Sequence, residues 1–245
     1  MRAFVLILAA CSASEGSGEE HGLRDDPVSE PPRPVQLERK AMVDFHMQRH
    51  FDDLRSVEKL LIAGKLDDAK SAAFLLTKPS TDPGMKRWDV QSQRVTDAAV
   101  ALSESPGLDE ALRRETRVAA ACGSCHLAIQ RIPKFAATPP LPADAVTPAS
   151  RMARHAWAVD RLWEGLVAPA DAPWRRGLTV LATSPLPFSP ATDAPALAAQ
   201  LQRLANHALE MSEPITLDHQ AAVYGEMLET CAACHTTLHP KQTTP

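Results

Sequence analysis

The stretch Val118-Ala119-Ala120-Ala121-Cys122-Gly123-Ser124-Cys125-His126 and its later counterpart Met227-Leu228-Glu229-Thr230-Cys231-Ala232-Ala233-Cys234-His235 decide how this 245-residue chain is organised. Each ends in Cys-x-x-Cys-His. On a helix, positions i, i+3 and i+4 share one face, so two thiols and an imidazole are presented together. Such thiols can each form a thioether with a haem vinyl group while the adjacent imidazole ligates the iron, and the pentapeptide reads as a c-type haem attachment site. One copy alone could equally be a dithiol redox motif. Two copies in one chain are far harder to assign that way.

Working outward from the first motif, four helical patterns precede Pro133. Met47, His50, Leu54, Val57 and Leu61 recur at spacings of three and four, and Gly64 marks a stop. Leu66 to Leu76 gives a shorter helix, Trp88, Val95, Ala99 and Leu102 a third, and Leu108 through Leu112 and Val118 to Ile129 the fourth. A proline-rich segment from Pro133 to Pro148 interrupts the helical pattern. Then the order repeats. Met152, His155, Val159, Leu162 and Leu166 form a first face; Trp174, Leu178 and Leu181 a second; Leu197, Leu201, Leu204, Ala208 and Met211 a third; and Leu217 to Leu238 carries the second motif.

The halves align at two constant offsets. Met47, Arg49 and His50 match Met152, Arg154 and His155 at +105, and the motif residues match at +109. The difference, 109 minus 105, places four extra residues in the second copy, in the loop before its third helix, where insertion is tolerated. A repeat of this length indicates whole domains. The expected division is a signal over 1–11, a flexible tether over 12–35, a domain over 36–132, a linker over 133–147, a second domain over 148–239 and a tail over 240–245.

Four of the five cysteines belong to the motifs, so no disulfide framework is required. The fifth, Cys11, closes the sequence Met-Arg followed by Ala3-Phe4-Val5-Leu6-Ile7-Leu8-Ala9-Ala10, a positive start, an apolar run and small residues as in an export signal. Leu8-Ala9-Ala10-Cys11 resembles the lipobox of bacterial lipoproteins, which implies cleavage before Cys11 and its lipidation. Residues 12 to 34 are rich in Ser, Glu, Gly and Pro, the composition of a tether; His21 within it is expected to be solvated. No stretch reaches the ~20 apolar residues that span a bilayer, so the expected state is an exported protein, held at the periplasmic or outer face of a bacterial membrane by a lipid anchor only. The formal charge of -4, with both signs interspersed, gives no footprint for nucleic acid.

Each half resembles the class II cytochromes c, the cytochrome c-prime and c-556 type, over residues 36–132 and 148–239. The resemblance rests on Cys-x-x-Cys-His at the end of the fourth helix; class I cytochromes carry it near the amino end. It implies an all-α chain of two tandem antiparallel four-helix bundles, two covalently bound haem c groups on Cys122, Cys125, Cys231 and Cys234, and His126 and His235 as proximal ligands. Gln130 and His239 depart from the family, which often has Arg at that place; Arg131 follows one residue later in the first copy only.

The distal ligand has two candidates in each half, because Met47 with His50, and Met152 with His155, lie one turn apart on the bundle-facing side of the first helix. Imidazole is a strong iron ligand and sits nearer mid-helix, so His50 and His155 are the expected ligands, with Met47 and Met152 as substitutes. The plainer alternative is methionine as core filler and histidine as a hydrogen-bonded helix residue. His46, His207, His219 and His239 lack counterparts and are expected to be structural or solvated. Arg49 and Arg154 recur, as propionate partners or as solvated cations.

No paired catalytic carboxylates, nucleophilic serine arrangement or phosphate loop occurs, so the expectation is a carrier and not an enzyme. It would hand single electrons between redox partner proteins at the cell envelope. The runner-up is a five-coordinate haem that binds or senses a gas, and a haem-free dithiol or zinc protein stands third. Class II bundles often dimerise; a tandem pair can satisfy the same surface within one chain.

Overall fold

Charged and capping residues start most of the helices. Gly107 precedes a fourth helix whose first turn carries Asp109 and Glu110, the sign that suits the positive end of a helix dipole. Thr147 caps the fifth, accepting a hydrogen bond from the Ser150 backbone N–H at 3.2 Å ahead of Pro148 in the first turn. The Thr216 hydroxyl does the same for the His219 N–H at the start of the eighth.

The computed structural model describes residues 34–78, 85–135, 138–144, 147–186, 193–211 and 216–238, with side chains from Lys40 onward. Cys11, the leader, His21, nearly all of the tether, His239 and the tail lie outside them. Helices are the one regular element among the described residues, without a strand: α1 (Pro34–Ile62), α2 (Leu66–Leu76), α3 (Asp89–Ser103) preceded by a 3-10 turn at Lys86–Trp88, α4 (Leu108–Ala128), α5 (Pro148–Val167), α6 (Asp171–Thr183), α7 (Ala194–Glu210) and α8 (Leu217–Leu238). The expected all-α class holds. Among these residues no helix is long and apolar enough to cross a membrane.

Two helix ends share one device. Gly64 has φ +70°, its N–H bonds the Leu61 carbonyl and the Lys65 N–H reaches back to Leu60, both at 2.9 Å. This is the paired closure of a Schellman turn, which needs a left-handed residue after the last helical turn. At the end of α4, Gln130 takes that place with φ 54°, and the Arg131 N–H bonds the His126 carbonyl at 3.0 Å. The motif histidine's backbone is thereby part of the cap.

Successive helices are neighbours. α1 lies on α2, α2 on α3 and α3 on α4, with α4 returning to α1; α5, α6, α7 and α8 follow one another likewise, with α8 touching α5. The starts of α2 and α6 lie 105 residues apart and those of α4 and α8 109 apart. Met85 and Ala194, also 109 apart, are both buried. The four added residues therefore fall between α6 and Ala194, before α7.

α4 and α8 join the halves, with α4 also on α5 and α1 on α8. The direction is antiparallel: Arg113 pairs with Glu229, a Cβ on Gly225 would lie 3.3 Å from the Thr116 hydroxyl, and a Cβ on Gly123 would lie 3.2 Å from Leu217. Thr116 and Gly225 are counterparts at +109, and Arg55 and Asp160, which also pair, are counterparts at +105. A position that meets its own counterpart marks a two-fold contact. One contiguous core runs through both halves, from Leu54, Leu61 and Leu112 to Leu162, Leu178 and Leu228.

Candidate functional site

Both pentapeptides lie in the last turns of their helices, Cys122–His126 in α4 and Cys231–His235 in α8. Because those helices are antiparallel, the motifs sit at opposite ends of the seam. Cys122, Cys125 and Cys231 are half-buried, Cys234 is buried, and all four are thiols. Burial raises all four, pushing Cys122 and Cys231 up to about 12. A thiol held protonated is a poor nucleophile and a poor redox partner. Among the described residues no group of three or more His, Cys, Asp and Glu side chains gathers to hold a metal ion.

His126 is half-buried, and its Nδ1 lies 2.8 Å from the Val167 carbonyl at the end of α5. A carbonyl only accepts, so Nδ1–H donates and Nε2 carries the lone pair. Burial lowers the ring's pKa against the opposing effect of that hydrogen bond, keeping it neutral. A neutral imidazole oriented through its Nδ1–H is the form that binds a metal through Nε2. The approach of α5 depends on Gly123: a Cβ there would collide with the Leu166 carbonyl and lie 3.3 Å from Pro169. His235 is half-buried on α8.

The first half of α1 contains no buried residue from Lys40 to Phe51, yet Met42, Val43, Phe45 and Met47 lie along it, Met42 at 52% and Phe45 at 72% exposure. The end of α1 at Gly64 reaches Thr236 at the end of α8, so the start of α1 belongs with the end of α4. There Leu127 and Ile132 are also exposed. Large apolar side chains thus remain exposed on the start of α1 and past the end of α4. His50 lies on this stretch with its ring 4.2 Å from that of His46; burial, then His46 and Arg49, lower its pKa to about 4. Arg49 reaches Asp53 at 3.9 Å.

The second half differs at the matching positions. His155 is buried, and its Nε2–H donates to the Ser184 carbonyl at 2.7 Å. Arg154 donates to the Ser184 hydroxyl at 3.1 Å and to the Pro142 carbonyl at 2.8 Å, tying the interhelical segments together. Met152 is half-buried beside them. His155 is thus a hydrogen-bonded core histidine here, whereas His50 is not fixed by a backbone carbonyl.

The seam between the motifs holds a cluster absent from the sequence reading. Glu58 on α1 is buried, accepting from Arg55 and, at 2.6 Å, from the Tyr224 hydroxyl on α8. Glu115 on α4 is wholly buried, and neither carboxylate oxygen has a hydrogen-bond partner among the described residues. The Trp163 indole on α5 faces it, close enough to favour the carboxylate but outside hydrogen-bonding geometry. Glu115 and Tyr224 are counterparts at +109, Glu58 and Trp163 at +105, so the two-fold arrangement repeats with different chemistry. Burial raises Glu115 well above the usual carboxyl range, Glu58 adding to this and Arg55 opposing it; Glu58 is raised by burial despite Arg55. A cavity of ≈ 470 Å³ between α1 and α5 is lined by Phe51, Arg55, Asp160 and Trp163 among others, and so meets the cluster only at Arg55 and Trp163. A sequence signal existed: Glu58 interrupts the stripe Leu54-Val57-Leu61, and Glu115 lies between Leu112 and Cys122 on one face.

Compared with protein-family models, curated proteins and solved structures, the chain matches none.

Proposed function

We propose that the chain is a dihaem c-type cytochrome, two class II-like four-helix bundles joined through α4 and α8, which carries single electrons between redox partner proteins at the bacterial cell envelope, tethered by a lipidated Cys11. The observation that carries the reading is His126: on the face that holds two protonated, unpaired thiols, its Nδ1–H is committed to the Val167 carbonyl and its Nε2 is left as the ligand atom. Cys122 and Cys125 would hold one haem and Cys231 and Cys234 the other, with His126 and His235 as proximal ligands. Haem supplies one-electron chemistry when bound. The chain's part is to fix the imidazole tautomer, exclude water with the apolar stripes and set the local charge. In the first half His50, or Met47 one turn away, would serve as distal ligand.

One observation favours the gas-binding alternative for the second half. His155 commits its Nε2–H to Ser184, which leaves Met152 or an open position opposite His235. The test is the absorbance spectrum and mass of the chain expressed with haem-maturation machinery. Two covalent haems with a Soret band are expected, low-spin at the first site. A haem-free product with intact thiols overturns the proposal, and high-spin, gas-binding spectra at both sites transfer it to the alternative.

A further inference from the structure

Glu115 is wholly buried and has no hydrogen-bond partner among the described residues, and on α4 it stands seven residues before Cys122, on the same face. Its charge acts on Cys122, while that of Glu58 acts on Cys231. The carboxyls also act on each other. One acid therefore belongs to each motif, and the two are coupled across the seam. Arg55 and Glu58 face Glu115 from α1, Tyr224 from α8 and Trp163 from α5, while α3 turns Ala99 and Leu102 inward. Only Arg55 among these is a cation, and it already pairs with Glu58 and Asp160. One guanidinium does not neutralise two buried carboxylates, so the cluster favours binding a proton unless another positive charge is close by. The α1–α5 cavity is lined by Arg55 and Trp163, the two side chains that stand between solvent and the buried acids.

We propose that Glu115, with Glu58, is a proton-binding site that takes up and releases a proton as the cofactors change charge, so that the protein carries a proton together with an electron. This rests on the haem reading above. The step balances simply. With haem bound, an external one-electron donor would lower the charge of the group held by Cys122 and His126 by one, and the Glu115 carboxylate would take one proton from solvent; oxidation would release both. The sign follows from electrostatics: ferric iron favours the carboxylate, ferrous iron the acid.

The test is redox titration of the holoprotein across pH, with the infrared carboxyl stretch followed in the same samples. Wild type is expected to show a potential that falls with rising pH, approaching a tenfold change in the reduction equilibrium per pH unit, about 59 mV for one electron. Reduction should also increase the protonated-carboxyl band. Glu115→Gln is expected to flatten the slope and abolish the band change, with the Soret spectrum intact, while the exposed Glu104→Gln leaves both as they are. Glu58→Gln reads the coupling from α1 should the first variant fail to fold. A pH-independent wild-type potential, or a slope that survives both variants, overturns the proposal. A chain that attaches no haem overturns the functional reading and this coupling together, and is told apart by its missing Soret band.

Discussion

Arg55 is the residue on which the seam's electrostatics turn. Burial alone would lower its pKa, but Glu58, Tyr224, Asp160 and Glu115 outweigh that and raise it. Arg55→Met should cost about 3–5 kcal/mol, because Glu58 would remain buried without its cation, and a denaturant midpoint would report it. Glu115 sets a pH dependence of known sign. Its folded-state pKa stands above the usual 4.5, so the native state binds the extra proton between that value and its own pKa. Its contribution is full below 4.5 and is lost as pH rises through the folded pKa. Glu115→Gln should therefore gain on the wild type as pH rises, read as melting temperature against pH; a parallel pair of curves would contradict this. The helical positions of the two pentapeptides were legible because each closes a long apolar stripe. Glu115 and Glu58 were legible only as charges on apolar faces, since one-dimensional periodicity cannot say whether such a group points at solvent or at another helix.

At the scale of elements, the stripes of three and four placed all eight helices, because a face that must be buried leaves a period in the sequence. Caps were less visible. Gly64 announces a left-handed stop, but Gln130 performs the same turn with a side chain that gives no such signal. An L-residue there costs roughly 1 kcal/mol, so Gln130→Gly should raise stability by about that amount in a urea titration, leaving the α4 cap in place. Gly123 makes the opposite case. A Cβ would strike the Leu166 carbonyl, a backbone atom with no rotamer to escape into. Gly123→Ala should cost about 1–3 kcal/mol, and by pushing α5 away should also loosen the Val167 carbonyl from His126. Its counterpart Ala232 is a buried alanine, so the second motif tolerates the methyl group that the first cannot.

For the whole molecule, the repeat was legible and the joint was not: the offsets +105 and +109 reveal two copies, but a stripe records that a face is buried without recording against what. The joint makes the halves interdependent. A chain of residues 34–135 alone would keep Leu54, Leu61 and Leu112 but lose the Tyr224 hydroxyl that bonds Glu58 and the Asp160 carboxylate that pairs with Arg55. It would also uncover the α4 face that meets α8 and α5. Native domains are stable by about 5–15 kcal/mol, and disrupting a buried ion pair alone takes about 3–5 kcal/mol of that. The isolated half should therefore melt at far lower temperature than the whole chain, or bind a hydrophobic dye without a cooperative transition. The whole chain should unfold in one step, with near- and far-ultraviolet circular dichroism coincident. Two separate transitions, the first matching the melting of the isolated half, would show that each half stands on its own core and that the α4–α8 contact is only a surface between finished domains.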